Sequence, residues 1–314
     1  MATLLATEIL ADTLDAFRAD VPQIAAFSTD LSSAKAVKGS QIIAHISVLP
    51  TVSTYDAVTG FGNGATDAAA LLQDVPVTMN QLPQVPTNVT YLDNVASMKD
   101  LYEEAIRNSA YVLGKNIIDT ILTGVSLANF SNTVTQNIAG TSVSTLESIR
   151  SQLNTQHAAP MGRFGIMSTP AAESLQDDQR MMNALFYGNL SASTAYRNYK
   201  GVCGFENIWE YPDMPANGMA LSGFFGDRRA VTIATRIPDL SAFAGVFPNI
   251  PELAKWEVVE DPNSGLAILG ISWMTLGTFT ANFAMTFLYG YTMGNQGAGA
   301  GQKTDNAGVL LKTA

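Results

Sequence analysis

The chain has 314 residues, of which 47% are hydrophobic and only 14% charged, and its net charge is −10. So few charges, against about a quarter in ordinary soluble domains, cannot coat a large water-facing surface, which leaves extensive contact with other protein or a membrane. The 17 Lys and Arg are scattered, with only Arg228 and Arg229 adjacent, and Cys203 stands alone; this argues against nucleic-acid binding by counterion release and excludes an intrachain disulfide or a cysteine zinc cluster.

Met1 to Phe17 carries Glu8, Asp12 and Asp15 and no early Lys or Arg, so the basic opening of a signal peptide is missing. Leu5, Ile9, Leu10, Leu14 and Phe17 predict a short amphipathic helix over 3–18, ended by Pro22. An isolated helix of that length is marginal; it needs a partner, either its own core or another chain. No sustained period follows from Val21 to Gly39. Residues 41–50 read as a strand ended by Pro50, and 75–92 as a second extended run. Pro76, Pro83 and Pro86 exclude the second run from the middle of a sheet. Between them Gly60, Gly62 and Gly64 mark a tip at Thr59 to Asp67. The pattern is that of a long hairpin projecting from the body. Ten strand residues reach about 33 Å, and a two-stranded ribbon is barely stable alone in water, so a neighbouring subunit should lie beneath it.

The spacing of Val95, Met98, Tyr102, Ala105, Ile106, Leu113, Ile117 and Ile121 predicts a helix over 94–123, capped by Asp93 or Asn94 and closed by Gly124. It should be about 45 Å long. Residues 125–141 suit a turn or short strands. A helix is expected over Ser144 to Gln156, then a strand at Phe164 to Ser168. Another helix starts at Pro170 with Ala171, Leu175 and Met182, with Pro in its first turn. Residues 183–204 read as a loop. Strands follow at Asn207 to Tyr211 and Met219 to Phe225, a strand or helix at Ala230 to Arg236, and a strand at Lys255 to Glu260. The uncharged stretch Leu266 to Met293 is long enough to span a bilayer. Ser272, Thr275, Gly277, Thr278, Thr280, Asn282 and Thr286 interrupt it, so it is read as two buried strands. The Gly-rich run Gly294 to Gly301 opens a C-terminal tail. No repeat is visible.

The same residues offer little chemistry. His45 and His157, the only histidines, have no partner at metal-ligand spacing. The glycines at 60, 62 and 64 are no phosphate loop, because no Lys occurs between Lys38 and Lys99. No Gly-x-Ser-x-Gly elbow exists. Asp177, Asp178 and Asp227 read as solvated turn or helix-end charges. No catalytic, cofactor-binding or metal residue is assigned, and no cofactor is expected.

This order of elements resembles the tailed-bacteriophage major capsid proteins of the Hong Kong 97-like fold. Leu4 to Gly39 looks like their N-terminal arm, Gln41 to Leu92 like the hairpin called the E-loop, and Val95 to Leu122 like the spine helix. Phe164-Gly-Ile-Met-Ser-Thr-Pro with Leu175 and Asp178 resembles the axial strand-helix unit. Gly226 to Arg236, Glu257 to Glu260 and Leu266 to Met293 resemble late segments of those chains. The resemblance implies an α+β fold divided as arm 1–39, E-loop 40–92, peripheral domain with spine helix 93–140, axial domain 141–250, peripheral closing strands 251–294 and tail 295–314. It implies a structural protein, not an enzyme, that self-assembles as pentamers and hexamers into an icosahedral shell around the phage double-stranded DNA. Assembly would take place in the host cytoplasm, with the product in the virion. The implied partners are other copies, a separate scaffolding protein, a portal and a cement or decoration protein, with no sequence-specific nucleic-acid binding and no membrane. Some relatives weld the shell through an E-loop Lys; this stretch has none. Encapsulin compartments share the fold and are the alternative; a soluble enzyme using Asp177 or Asp227 is the remaining one.

Overall fold

A computed structural model describes residues 22–47, 55–58, 72–90, 101–137, 140–156, 158–181, 198–215, 217–218, 220–239, 255–260, 266–275, 280–293 and 307–313. The expected helix over 3–18, the glycine tip, the caps at 93–94, His157, Met182 and the Gly294 to Gly301 run lie outside these residues, as does the side chain of His45.

In chain order the strands are β1 (Ser28–Ala36), β2 (Gln41–Ser47), β3 (Leu72–Thr78), β4 (Gln84–Thr90), β5 (Thr133–Gln136), β6 (Phe164–Met167), β7 (Asn198–Val202), β8 (Phe205–Glu210), β9 (Leu221–Gly226), β10 (Val231–Pro238), β11 (Lys255–Glu260), β12 (Ala267–Thr275), β13 (Thr280–Thr286), β14 (Leu288–Met293) and β15 (Gly308–Thr313). Helix α1 (Leu101–Gly124) precedes β5, α2 (Val143–Thr155) precedes β6 and α3 (Thr169–Gln176) follows β6. The α+β class is as expected.

The strands form a six-stranded sheet in the order β5-β15-β9-β6-β8-β7, a four-stranded sheet β11-β12-β13-β4, a three-stranded sheet β1-β10-β14 and the hairpin β2-β3. Period-two alternation decides which side each residue of the six-stranded sheet covers. Phe164, Ile166, Phe224 and Leu310 join the main core, whereas Met167, Phe205, Ile208, Phe225, Val309 and Leu311 join a second core under α2 and α3. Leu146, Ile149 and Leu153 of α2 and Ala171, Ala172 and Leu175 of α3 close that second core. Helix α1 is the shared pillar. Its Leu113, Ile117, Ile118, Ile121 and Leu122 lie in one cluster with Ile233 of β10, Ile268 of β12, Phe283 and Met285 of β13 and Tyr289 of β14.

Several expectations need correction. Ser28–Ala36 is a strand, parallel to β10, where no period was legible. The second extended run is two strands: β3 pairs with β2, while β4 leaves the hairpin and pairs with β13. Both prolines inside these strands lie on sheet edges, as their missing N–H requires. The loop expected over 183–204 ends in a strand: β7 and β8 form a hairpin whose two turn residues, Cys203 and Gly204, have φ of 51° and 83°, the left-handed pair of a type I′ turn. Helix α3 stops at Gln176, short of Met182, because Asp178 turns the chain. The stretch after Leu266 holds three described strands, not two; β14 leaves the four-stranded sheet for β10. Most consequentially, residues 308–313 are no loose tail: β15 is an interior strand, and Val309, Leu310 and Leu311 are buried.

Candidate functional site

The carboxylates that could have served chemistry are spent on the backbone. Asp227 is buried; its Oδ1 accepts from the Arg229 N–H at 2.8 Å, and its Oδ2 accepts from the Ala159 N–H at 3.1 Å and the Arg229 guanidinium at 2.6 Å. It caps the turn Arg228–Ala230 and ties it to the loop before β6. Beside it the buried Arg163 donates to the Ala158 and Ala159 carbonyls, and burial lowers its pKa. Asp178 accepts from the Val143 N–H at 2.8 Å through Oδ2 and from the Arg180 N–H at 2.8 Å through Oδ1, so it caps the start of α2. Asp177 ends α3. Neither Asp177 nor Asp227 meets a histidine or a nucleophile among the described contacts. Burial pushes the Cys203 thiol above its ordinary value, which keeps it protonated and unreactive. No group of three or more metal-ligating side chains occurs among the described residues. No described helix is long and apolar enough to cross a membrane.

What the fold does present is surface. Hairpin β2-β3 is rooted where Gly39 N–H donates to Met79 O at 2.7 Å and Met79 N–H donates to Ser40 O at 2.9 Å. Val77 and Met79 bury against Ala234 and Leu288. The root lies so close over β14 that a Cβ on Gly290 would overlap the Thr78 carbonyl. Farther along, Ile43 is 55% exposed and its register partner Pro76 is also exposed. The hairpin is thus fixed at one end, and its uncovered side carries Ile43 and Pro76 beside the polar Gln41 and Asp74.

Among the described residues the four-stranded sheet is covered along one face, and on the other only the end with Ala267 and Leu269 is covered, by Ile237 of β10. Val259, Ile268, Phe283 and Met285 pack on the α1 core. The other face carries Trp256 and Val258 on β11 and Trp273 on β12, half-exposed. Register runs Trp256–Ile271–Ala284–Pro86 across all four strands, and one row further Trp273–Asn282–Asn88. Two of the three tryptophans therefore stand on one open sheet face.

A polar joint sets this sheet's pillar against the six-stranded sheet. Tyr211, just past β8, donates to Asp119 Oδ1 at 2.5 Å, and Lys115 bridges Asp119 at 2.9 Å and Asp213 at 3.2 Å. The hydrogen bond that Lys115 donates to Asp119 raises the Lys115 pKa; burial and then Asp119 raise that of Tyr211. Asn217 adds a 2.9 Å bond to the Val125 carbonyl at the end of α1. These contacts join residues about ninety positions apart, and no sequence signal could have announced them. The open tryptophan face was equally hidden: in β11, Lys255 and Glu257 alternate with Trp256 and Val258, so alternation would turn the tryptophan inward, and β12 is largely apolar on both sides.

No protein-family model matches the chain, and neither does any curated protein. Solved structures do match. A chain of Microbacterium phage Oxtober96 superposes with a TM-score of 0.55 at 13% identity, over 93% of this chain and 90% of that one. The capsid of cyanophage P-SCSP1u gives 0.55 at 10% identity over 92% and 86%, and the capsid of Ralstonia phage GP4 gives 0.54 at 10% over 91% and 86%. The chain has the fold of these phage capsid structures.

Proposed function

We propose that this protein is the major capsid protein of a tailed phage, a shell subunit and not an enzyme. The observation that carries the reading is two incomplete surfaces on a fold shared with phage capsid structures: a hairpin rooted at one end with Ile43 and Pro76 uncovered, and a sheet face bearing Trp256, Val258 and Trp273. Neither is stable as an isolated water-facing feature, and each offers what the other lacks. In the shell, the E-loop hairpin of one copy lies over the next. Copies gather as pentamers and hexamers around the six-stranded sheets, which with α2, α3 and β15 make the axial domain. The peripheral domain is α1 with the four-stranded sheet. Many modest apolar contacts, multiplied by symmetry, supply the assembly energy.

The shell forms in the host cytoplasm on a separate scaffolding protein, closes on a portal and holds the double-stranded genome within the virion. With no Lys from 39 to 98, the hairpin contributes no isopeptide weld, so noncovalent contacts or a cement protein must hold the shell. Negative-stain microscopy of the purified protein tests the reading. Polyhedral shells, rings of five or six, or extended sheets are expected; a strictly monomeric protein at high concentration would overturn it. Uniform closed shells from the subunit alone would remove the scaffolding partner.

A further inference from the structure

The two ends of α2 carry opposite charge that folding alone does not account for. At its start, residues 137–142 and α3 enclose a cleft of about 590 Å³, within the range that takes up small ligands and roomy enough for a long side chain. Glu173 and Asp177 line it, exposed and one helical turn apart. Like charges at that spacing repel, and both lie in the C-terminal half of α3, where the helix dipole disfavours an anion. Neither meets a cation among the described contacts; the nearby Arg180 reaches Glu147 instead, at 3.5 Å. Asp178, which caps α2, adds a third carboxylate. Thr141 also lines the cleft, 2% exposed, and its hydroxyl makes no hydrogen bond among the described residues.

The far end of α2, about 20 Å away by its rise, leads into the loop Ala158–Arg163. This loop is braced from beneath. Ala159 N–H donates to Asp227, the buried Arg163 donates to the Ala158 and Ala159 carbonyls at 2.8 Å, and Gly162, at a φ of 74°, lets Arg228 lie against it. The bracing holds Met161 outward, 86% exposed. Methionine fills irregular apolar gaps well, yet here it fills none of its own chain's. Two exposed arginines flank the loop. Arg228 has only Glu206 beside it, at 3.7 Å, and Arg150 meets no carboxylate among the described contacts. Burial lowers the Arg163 pKa, Asp227 opposes that and Arg150 adds to it, so Arg150 is within electrostatic reach of the loop. The acidic cleft and the basic loop are separated by more than a Debye length of about 8 Å and do not neutralise each other within one chain.

We propose that the loop Ala158–Arg163 of one copy docks into the cleft between residues 137–142 and α3 of the next, with Met161 entering beside Pro170 and with Arg150 and Arg228 facing Glu173 and Asp177. The charge complementarity of the two ends selects a second copy as the occupant. The contact is head to tail, so every copy keeps a free patch at each end of a row until a ring closes. It lies at the rim of the layer formed by α2 and α3 and uses neither face of a sheet. The inference rests on the shell reading for the presence of adjacent copies.

The test reverses charge in the full chain at these four exposed positions. One form carries Glu173→Lys and Asp177→Lys, a second Arg150→Glu and Arg228→Glu, and a third all four changes. Each of the first two has like charge at both ends of α2. Velocity sedimentation should show its self-association weakened at least about tenfold, as like charges brought together in an interface require. Mixing the first two forms, or taking the third alone, should restore association. Where a reversed form melts early, the neutral pairs Glu173→Gln with Asp177→Asn and Arg150→Gln with Arg228→Gln replace it, with a smaller loss of the same sign expected. Reversed or neutral forms that associate like the parent overturn the docking. So does a third form that melts like the parent and stays as weak as the first two. Negative-stain microscopy of the same samples separates the two claims. Shells from the first two forms remove the docking only, whereas open filaments from the parent that the reversals abolish, without rings or shells, remove the shell reading only.

Discussion

The six-stranded and four-stranded sheets use similar residues and meet different fates. In the first, β6 and β9 are buried throughout, because α2 and α3 cover one face and the α1 core covers the other. In the second, α1 covers one face and nothing described covers Trp256, Val258 and Trp273 on the other. Described residues cover both faces of the first sheet and leave Trp256, Val258 and Trp273 of the second uncovered. On the proposed shell reading, stability and assembly are written on different sheets, and substitutions should separate them.

The largest effect is expected inside the complete sheet. Leu310→Ala removes a fully buried side chain from the strand that joins β5 to β9. It should cost about 2–5 kcal/mol, read as a lower denaturation midpoint with an unchanged slope. Hydrogen exchange should rise along β5 before β6, since β5 has no other strand to hold it. Exchange that rises equally on both would contradict the place of β15 as the only described strand joining β5 to the sheet. A smaller loss, about 1–3 kcal/mol, is expected for Gly290→Ala, where the added methyl meets the Thr78 backbone. That change should loosen the root of hairpin β2-β3 while leaving the six-stranded sheet protected, an outcome that exchange at Val77 against Phe224 would read.

How much of this was visible beforehand follows from how local each cause is. Helix α1 was legible because Leu113, Ile117 and Ile121 keep the helical period over many turns, and α2 and β6 for the same kind of reason. Strand β1 was not: Ser-Thr-Asp-Leu-Ser-Ser-Ala-Lys-Ala has neither alternation nor apolar weight, and only the parallel pairing with β10 makes it a strand. Strand β15 offers three aliphatic residues between Gly308 and Lys312, too short a run to compete with the Gly-rich stretch before it, so a tail was expected where an interior strand lies. The hairpin was anticipated, but not that β4 would leave it, because proline marks an edge strand without saying of which sheet. For the candidate surface, alternation is silent when both faces of a strand are apolar. Val258 and Val259 look alike in sequence, and only the position of α1 decides which is covered.

The joint between the sheets should show itself in alkali. Tyr211 and Lys115 both hold their protons more tightly in the folded chain, Tyr211 through burial and then its bond to Asp119, Lys115 first through the bond it donates to Asp119. A group whose folded pKa lies above its unfolded one gives stability that is intact below the unfolded value and lost as pH rises through the folded one. The loss should therefore begin near pH 10, the ordinary tyrosine value. Tyr211→Phe should cost about 1 kcal/mol at neutral pH and flatten the fall above pH 10 in thermal melts taken across the range. An equally steep fall in the variant would show that Tyr211 is not its source.

The smallest effect on the folded chain is expected where assembly should suffer most. Trp256→Ser and Trp273→Ser remove half-exposed rings from a face with no described cover, and surface changes of that kind usually stay within about 0.5 kcal/mol. Melting of the unassembled subunit should barely move. In an interface, by contrast, tryptophans at the centre of a patch carry a disproportionate share of binding energy, about 2 kcal/mol or more each, and the proposed shell would repeat that loss at every copy. Velocity sedimentation should show material moving from large assemblies to single subunits or small rings in the double variant, with Thr275→Ser at the exposed end of β12 as the silent control. If the double variant melts early instead, the face is part of the monomer's own core, and the division between a sheet that folds the chain and a sheet that joins chains fails.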